Sequence, residues 1–506
     1  MTTSKDHKYA HLFKTEGVNR DVGKKSVRAG YASLSSQGMS MGITLVRAAV
    51  LARLLTPEDY GVFTMVVVVS SFAIIFKDLG LSTATVREKH ITHAQVSNLF
   101  WINTLFGVIS MIVVWAASPA IVWFYQDTRL AAIALVLSIG FLFGGLTVQH
   151  QALLKRQMQF GKIALITVLS AIASSILGVI TAWYFGNYWA LVWMQVSHNL
   201  FFMIGFWLAT KWIPGLPTKK AGTKKFIRFG LDVAGLKAFS TVAGQVDKLI
   251  IGRISDAVTL GLYNKGQQVP QMIGNKFRLA FFAVALSALS AQQDEDERFA
   301  EYYYKFLAIV SWTTMILSAF CFVFAEEIIH IYFGPKWLDS VIFMQIFSIR
   351  AFLMSAITTM DQIPLALGYS RRYLYAGLCR RIALVGSISI IAPFYGTIGI
   401  ALCMAFSDVI AFIPFSILCL KRTPVTLKKF WRTITPPFIV SILLAVIFYI
   451  FKSNPTVQGV GYTLVFMSTF LLGAALLFLS CDFLKIGSTT GIGSTIIQKM
   501  NFRGKA

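Results

Sequence analysis

Charge, and negative charge above all, is what this chain has little of. Only 13% of its 506 residues are charged, and Asp and Glu number 22 against 46 Lys and Arg. A soluble domain carries roughly 25% charged residues. A soluble all-α protein is excluded: 56% of the chain is hydrophobic, and apolar runs long enough to cross a hydrocarbon core recur from end to end. Cysteine is sparse as well. Cys321, Cys379, Cys403, Cys419 and Cys481 lie in or beside apolar runs, none close enough in sequence to another to suggest a metal pair. They read as small hydrophobes rather than disulfides or ligands. No Walker motif, HExxH helix or Cys/His cluster is present, which leaves ATP-driven and metal-hydrolase chemistry without residues. About 28 polar, basic residues precede the first apolar run and no small-residue cleavage site follows it, so the first span is expected to direct insertion itself. No connection exceeds about 20 residues, too short for a soluble catalytic domain.

The apolar runs make an all-α polytopic membrane protein of about fourteen transmembrane helices. They fall near 29–54, 60–86, 96–121, 130–153, 162–184, 188–210, 229–252, 261–289, 303–331, 338–365, 373–394, 397–420, 434–451 and 460–480. Alternate connections are basic. The tail 1–28, the 153–162 turn with Lys155, Arg156 and Lys162, the 211–228 linker and the 421–432 loop carry most of the Lys and Arg, whereas Gly186-Asn187-Tyr188 carries none. That alternation places both termini in the cytoplasm and requires an even number of spans. The net charge of +24 then serves topology and contacts with anionic membrane lipid, and no nucleic-acid partner is expected. The acidic stretch 291–299 falls on the same side, where Asp and Glu weigh little.

One corner is written twice. LARLLTPEDYGVF at 51–63 and IGRISDAVTLGLY at 251–263 align at an offset of 200, pairing Arg53 with Arg253 and Gly61 with Gly261. Gly30 with Gly230, Ser40 with Ser240 and Val46 with Val246 extend the register. Later the offset becomes 210, pairing Phe185-Gly186 with Tyr395-Gly396, Met194 with Met404 and Ser197 with Ser407. Spans 1–6 and 7–12 therefore read as two pseudo-symmetric six-helix lobes, 29–210 and 229–420, joined by the basic linker 211–228. The loop and spans of 421–480 and a tail of 481–506 have no counterpart. At the corner, Pro57 suits a tight turn, and Gly61 and Gly261 suit a close approach or an unusual backbone angle.

Charges inside spans are costly and normally face a cavity or a partner. Span 1 carries a polar stripe of Ser33, Gln37, Ser40, Thr44 and Arg47 on one helical face. Arg47, Lys77, Lys237, Lys248, Lys276, Arg278, Arg350 and Arg380 (with Arg381 beside it) outnumber the intramembrane acids Asp78, Asp247, Asp361 and Asp408. Surplus Arg and Lys in a shared watery cavity would bind an anion, with Arg suited to two phosphate oxygens at once. For any single residue, snorkelling to lipid or a structural pair competes with that reading. Arg47 aligns with Asp247 and Asp78 with Arg278, opposite signs that could pair as a gate. His198 and Asp408 align as well, and with Asp78, Asp247 and Asp361 they form the coupling and gating candidates for H+ or Na+. No catalytic residue, metal ligand or bound cofactor is expected.

LLTPEDYGVF, KDLGLSTATVRE, DKLIIGRISDAVTLGLYNKG and LSALSAQQDEDERFAEYYYKFLAIVS resemble the polysaccharide transporters of the multidrug/oligosaccharidyl-lipid/polysaccharide superfamily. With fourteen spans the chain is most similar to the colanic-acid-type exporters. The resemblance implies two six-helix lobes in a V around a cationic cavity, which falls here on Arg47, Lys237, Asp247, Lys248 and Arg278. It also implies a groove for a lipid tail made by the last two spans. The implied substrate is a polyprenyl-pyrophosphate-linked oligosaccharide, flipped across the inner membrane by alternating access, with polymerase or export machinery as further partners. Two alternatives stand: a cation-coupled drug or metabolite antiporter, which would want a neutral or acidic cavity, and a membrane glycosyltransferase or polymerase, which would want a large extramembrane loop.

Overall fold

The computed structural model describes residues 9–13, 22–78, 80–88, 91–218, 241, 244–274, 278–452 and 468–470. Among these residues there is no strand. The first part holds α1 (Ala10–Phe13), α2 (Val22–Leu54), α3 (Pro57–Asp78), α4 (Leu81–Arg87), α5 (His93–Tyr125), α6 (Arg129–Arg156), α7 (Phe160–Phe185), α8 (Trp189–Thr210) and α9 (Val246–Ile254). Then come α10 (Ala257–Met272), α11 (Arg278–Ala291), α12 (Asp296–Val323), α13 (Ala325–Tyr332), α14 (Val341–Ile357), α15 (Gln362–Ala366), α16 (Ser370–Ile410), α17 (Phe412–Leu420) and α18 (Leu427–Lys452). Eight helical stretches among the described residues are long and apolar enough to cross a membrane. One of them, Arg371–Leu420, takes in both the eleventh and twelfth expected spans. The seventh and fourteenth spans fall largely outside the described residues.

Two compact units divide at Gly261. In the first, α5 packs along α6, α7 along α8, and α2 against α7. In the second, α12 is the hub, packed by α14 and by α18. The aromatic cluster of Phe320, Phe324, Phe448 and Phe470 seals α18 onto α12. At the last residue of α18, Lys452 Nζ reaches Glu327 at 2.8 Å, so α18 is also tied to α13.

Local chemistry sets the ends of these helices. Thr92 and Gln95 form a reciprocal capping box that starts α5. The acidic run 291–299 puts Asp296 and Glu297 in the first turn of α12, where the helix dipole favours negative charge. Gly186 and Gly396 occupy the repeat-related turns, with φ of 59° and 54°. Gly186 is left-handed, and Gly396, whose ψ of −141° breaks α16 into two helices, shares only the positive φ that glycine adopts without strain. Trp183 and Tyr184 before the first, and Phe394 and Tyr395 before the second, are all more than 70% exposed. Exposed aromatics at span ends are interface anchors.

Candidate functional site

The two copied corners meet inside the first unit. Corner one is capped by Asp59: its Oδ2 accepts from the Thr56 amide at 2.9 Å and from the Thr56 hydroxyl at 2.7 Å. Corner two is capped by Asp256, whose Oδ1 accepts from the Thr259 amide at 2.7 Å. Those bonds from Thr259 hold the Asp256 carboxyl below its ordinary range. A Cβ added to Gly61 would run into the Ala257 carbonyl, and one added to Gly261 into the Pro57 carbonyl. The paired glycines therefore permit a reciprocal backbone crossing. Neither has a left-handed φ, so of the two roles expected for them the close approach is the one observed.

Further contacts surround that crossing. Gly252 lies against the Tyr125 ring, and the Arg253 guanidinium sits 5.9 Å from the Phe124 ring centre. Arg129 bridges Glu58 at 2.8 Å and Asp127 at 2.8 Å. Burial pushes the Asp127 carboxyl up, but hydrogen bonds and charge from Arg129 outweigh it and hold the group below its ordinary value of 3.8.

Among the cation candidates, Arg47 is half-buried on α2. Its stripe is not packed away: Gln37 is exposed, Ser40 and Thr44 are half-buried, and Thr44 Oγ1 donates to the Ser40 carbonyl at 2.8 Å. On α9, Asp247 is buried and Lys248 half-buried. Arg47, Asp247 and Lys248 all belong to the first unit. His198, on α8, lies 3.4 Å from Ser174 Oγ through Nδ1 and stacks on Phe202. Lys237 and Lys276, and the side chains of Lys77, Asp78 and Arg278, lie outside the described residues.

The remaining four candidates form one cluster in the second unit. Arg380 on α16 donates through Nε to Asp408 Oδ1 at 2.6 Å and through Nη1 to Asp361 Oδ2 at 3.2 Å. Arg350 on α14 approaches the other Asp408 oxygen at 3.7 Å. Two guanidiniums face two carboxylates, so this cluster is neutral. It binds α14, the turn at Thr358–Asp361 and both ends of α16 together.

Two further buried cations lie outside the expected set. Arg156, 4% exposed, looked like one more topology signal in the 153–162 turn. It donates to the main-chain carbonyls of Phe13 and Thr85. Lys265, 3% exposed, lies 4.8 Å from the Phe333 ring centre and 5.5 Å from that of Trp337. The only signal for Lys265 is a cation early in span 8.

A family model described as polysaccharide biosynthesis protein matches residues 50–342, more than half of the chain and both copied corners. The chain is 25% identical over 426 residues to the teichuronic acid biosynthesis protein TuaB of Bacillus subtilis (strain 168), covering 83% of this chain and 87% of that one. It is 23% identical over 338 residues to the lipopolysaccharide biosynthesis protein WzxC of Escherichia coli (strain K12), covering 66% and 68%. In structure it is similar to the lipid II flippase MurJ in an inward closed conformation, with a TM-score of 0.73 at 14% identity, over 91% of this chain and 99% of that one. The fold is that of a multi-pass membrane protein.

Proposed function

The chain belongs to the polysaccharide biosynthesis protein family, and on that footing we propose that it flips a polyprenyl-pyrophosphate-linked oligosaccharide across the bacterial inner membrane. The family match through both corners carries this reading, supported by similarity to TuaB and WzxC and by the MurJ-like fold. The chemistry agrees. A pyrophosphate must leave water without becoming an unpaired buried charge, which costs several kcal/mol or more. Arg47 and Lys248 are the described cations that would meet it, joined by Lys77, Lys237, Lys276 and Arg278. The sugar moves through a wet path while the polyprenyl tail stays in lipid, and no covalent bond changes. Both termini lie in the cytoplasm, and a polymerase on the far side takes the product. A proton or sodium gradient can drive the cycle through Asp78, Asp247, Asp361, Asp408 or His198, with no bound cofactor.

A deletion strain tests the reading. It should accumulate lipid-linked repeat units on the cytoplasmic leaflet, and Arg47→Ala or Lys248→Ala should share the defect at normal protein level. Normal lipid-linked pools in the deletion strain would overturn it.

A further inference from the structure

Arg350 lies at the centre of Pro335–Ala366, a stretch long and apolar enough to cross a membrane. A cation at that depth is costly and is normally matched by partners that take up its donors. Arg380, beside it in the cluster, has such partners: Asp408 Oδ1 at 2.6 Å and Asp361 Oδ2 at 3.2 Å, with the Phe415 ring centre 5.3 Å away. Arg350 has one ionic contact, Nη2 to Asp408 Oδ2 at 3.7 Å, which is longer than a hydrogen bond. Among the described residues its guanidinium donates to no oxygen. The Arg350 side chain is 23% exposed and that of Asp408 6%, so within this pair the guanidinium is the group that an incoming anion can reach.

Asp408 is already committed elsewhere. Arg380 and Asp408 lie on α16 on opposite sides of its break at Gly396, and the short bond between them holds the carboxylate whether or not Arg350 stays near it. Arg350 can therefore turn to another anion without leaving Asp408 unpaired. The exchange favours a ligand with two oxygens, because a guanidinium edge takes both at once and the present contact supplies one at long range. Arg47 and Lys248, the described cations assigned above to the diphosphate, belong to the first unit, and Arg350 belongs to the second. Two anion sites, each built within its own unit, suit a cargo with two separate negative groups.

We propose that Arg350 is a second anion-binding site, held ready by Arg380 and Asp408, and that its ligand is the carboxylate of an acidic sugar in the transported oligosaccharide. A carboxylate is the class of group toward which Arg350 already leans, and a sugar carboxylate brings the same charge with both oxygens open. Arg380 is a positioning residue: it pins Asp408, so that the Asp408 oxygen competes with the ligand only from 3.7 Å. The sugar as natural source rests on the transport reading above; anion binding at Arg350 does not.

Binding to full-length protein in detergent tests it, with glucuronate and inorganic pyrophosphate as probes. Arg350→Gln should weaken glucuronate binding about tenfold or more, equivalent to ~1.4 kcal/mol. Arg350→Lys, which keeps the charge and loses the fork, should recover only part of that loss. Asp408→Asn removes the competing carboxylate and should tighten glucuronate binding several-fold, and adding Arg350→Gln should abolish the gain. A brace with no ligand would show neither effect. Glucuronate binding unchanged in Arg350→Gln, or an Asp408→Asn gain that survives the loss of Arg350, overturns the proposal. Should Arg350→Gln fail to fold, Arg350→Lys carries the test, and wild-type affinity in that variant overturns the forked site. If pyrophosphate is the probe that depends on Arg350 and glucuronate is not, the sugar assignment is overturned. In proteoliposomes, Arg350→Gln should slow an acidic lipid-linked oligosaccharide more than a neutral one, and equal slowing also overturns that assignment. A wild type that binds glucuronate as described but flips neither cargo would sink the transport reading alone.

Discussion

Arg380 makes two charge-assisted bonds to carboxylates that are themselves largely buried, Asp408 at 2.6 Å and Asp361 at 3.2 Å. Removing one partner of such a set leaves an uncompensated charge, and the typical cost is about 3–5 kcal/mol. Arg380→Met should therefore lower the thermal midpoint of the detergent-solubilised protein by several degrees. Adding Asp408→Asn should recover part of the loss, because it removes the orphaned charge. Equal midpoints for wild type and Arg380→Met would contradict the brace. Asp127 gives a pH prediction at the same scale. Its carboxyl is held below 3.8 by Arg129, so its contribution to stability is complete above the unfolded value and is lost as the pH falls through the lowered folded one. Midpoints of wild type and Asp127→Asn should differ at neutral pH and converge in strong acid. Curves that stay parallel through that range would show that the Arg129 contact contributes nothing.

The corners carry the element-scale argument. Gly61 and Gly261 each lie against a carbonyl of the opposite corner, so a methyl group on either forces two backbones apart. Overpacking of this kind costs about 1–3 kcal/mol. Gly61→Ala and Gly261→Ala should each lower the thermal midpoint and reduce complementation of a deletion strain, and the double variant should lose less than the sum, because one displacement relieves both contacts. Full additivity would mean the two crossings are independent. The crossing was half legible in the sequence. The 200-residue offset marked both glycines as equivalent, and apolar run lengths placed α5, α6, α7 and α8 closely. What the one-dimensional pattern could not carry was which cations neutralise one another. Arg350, Arg380, Asp361 and Asp408 are up to 58 residues apart in the chain, and only helix packing turns four costly charges into one neutral cluster. Arg156 is illegible for a related reason: main-chain carbonyls, which leave no mark on side-chain patterning, are among its partners.

At the scale of the whole molecule, the account makes a topological and a functional claim. Reporter fusions within 126–128, 186–188 and 453–458 should read as outside the cytoplasm, and fusions within 157–159, 213–218 and 421–426 as inside. A basic connection that reads outside would undo the charge-based orientation. The functional claim is that lipid-linked oligosaccharide crosses the bilayer through this protein by way of its cations. It is tested most directly in proteoliposomes carrying a fluorescent polyprenyl-pyrophosphate oligosaccharide, by following the fraction reachable from outside. The account predicts rapid equilibration between leaflets with the wild-type protein and transfer slowed about tenfold or more by Arg47→Ala or Lys248→Ala, the loss of one charge contact worth ~1.4 kcal/mol or more. Transfer no faster than in protein-free vesicles would contradict it.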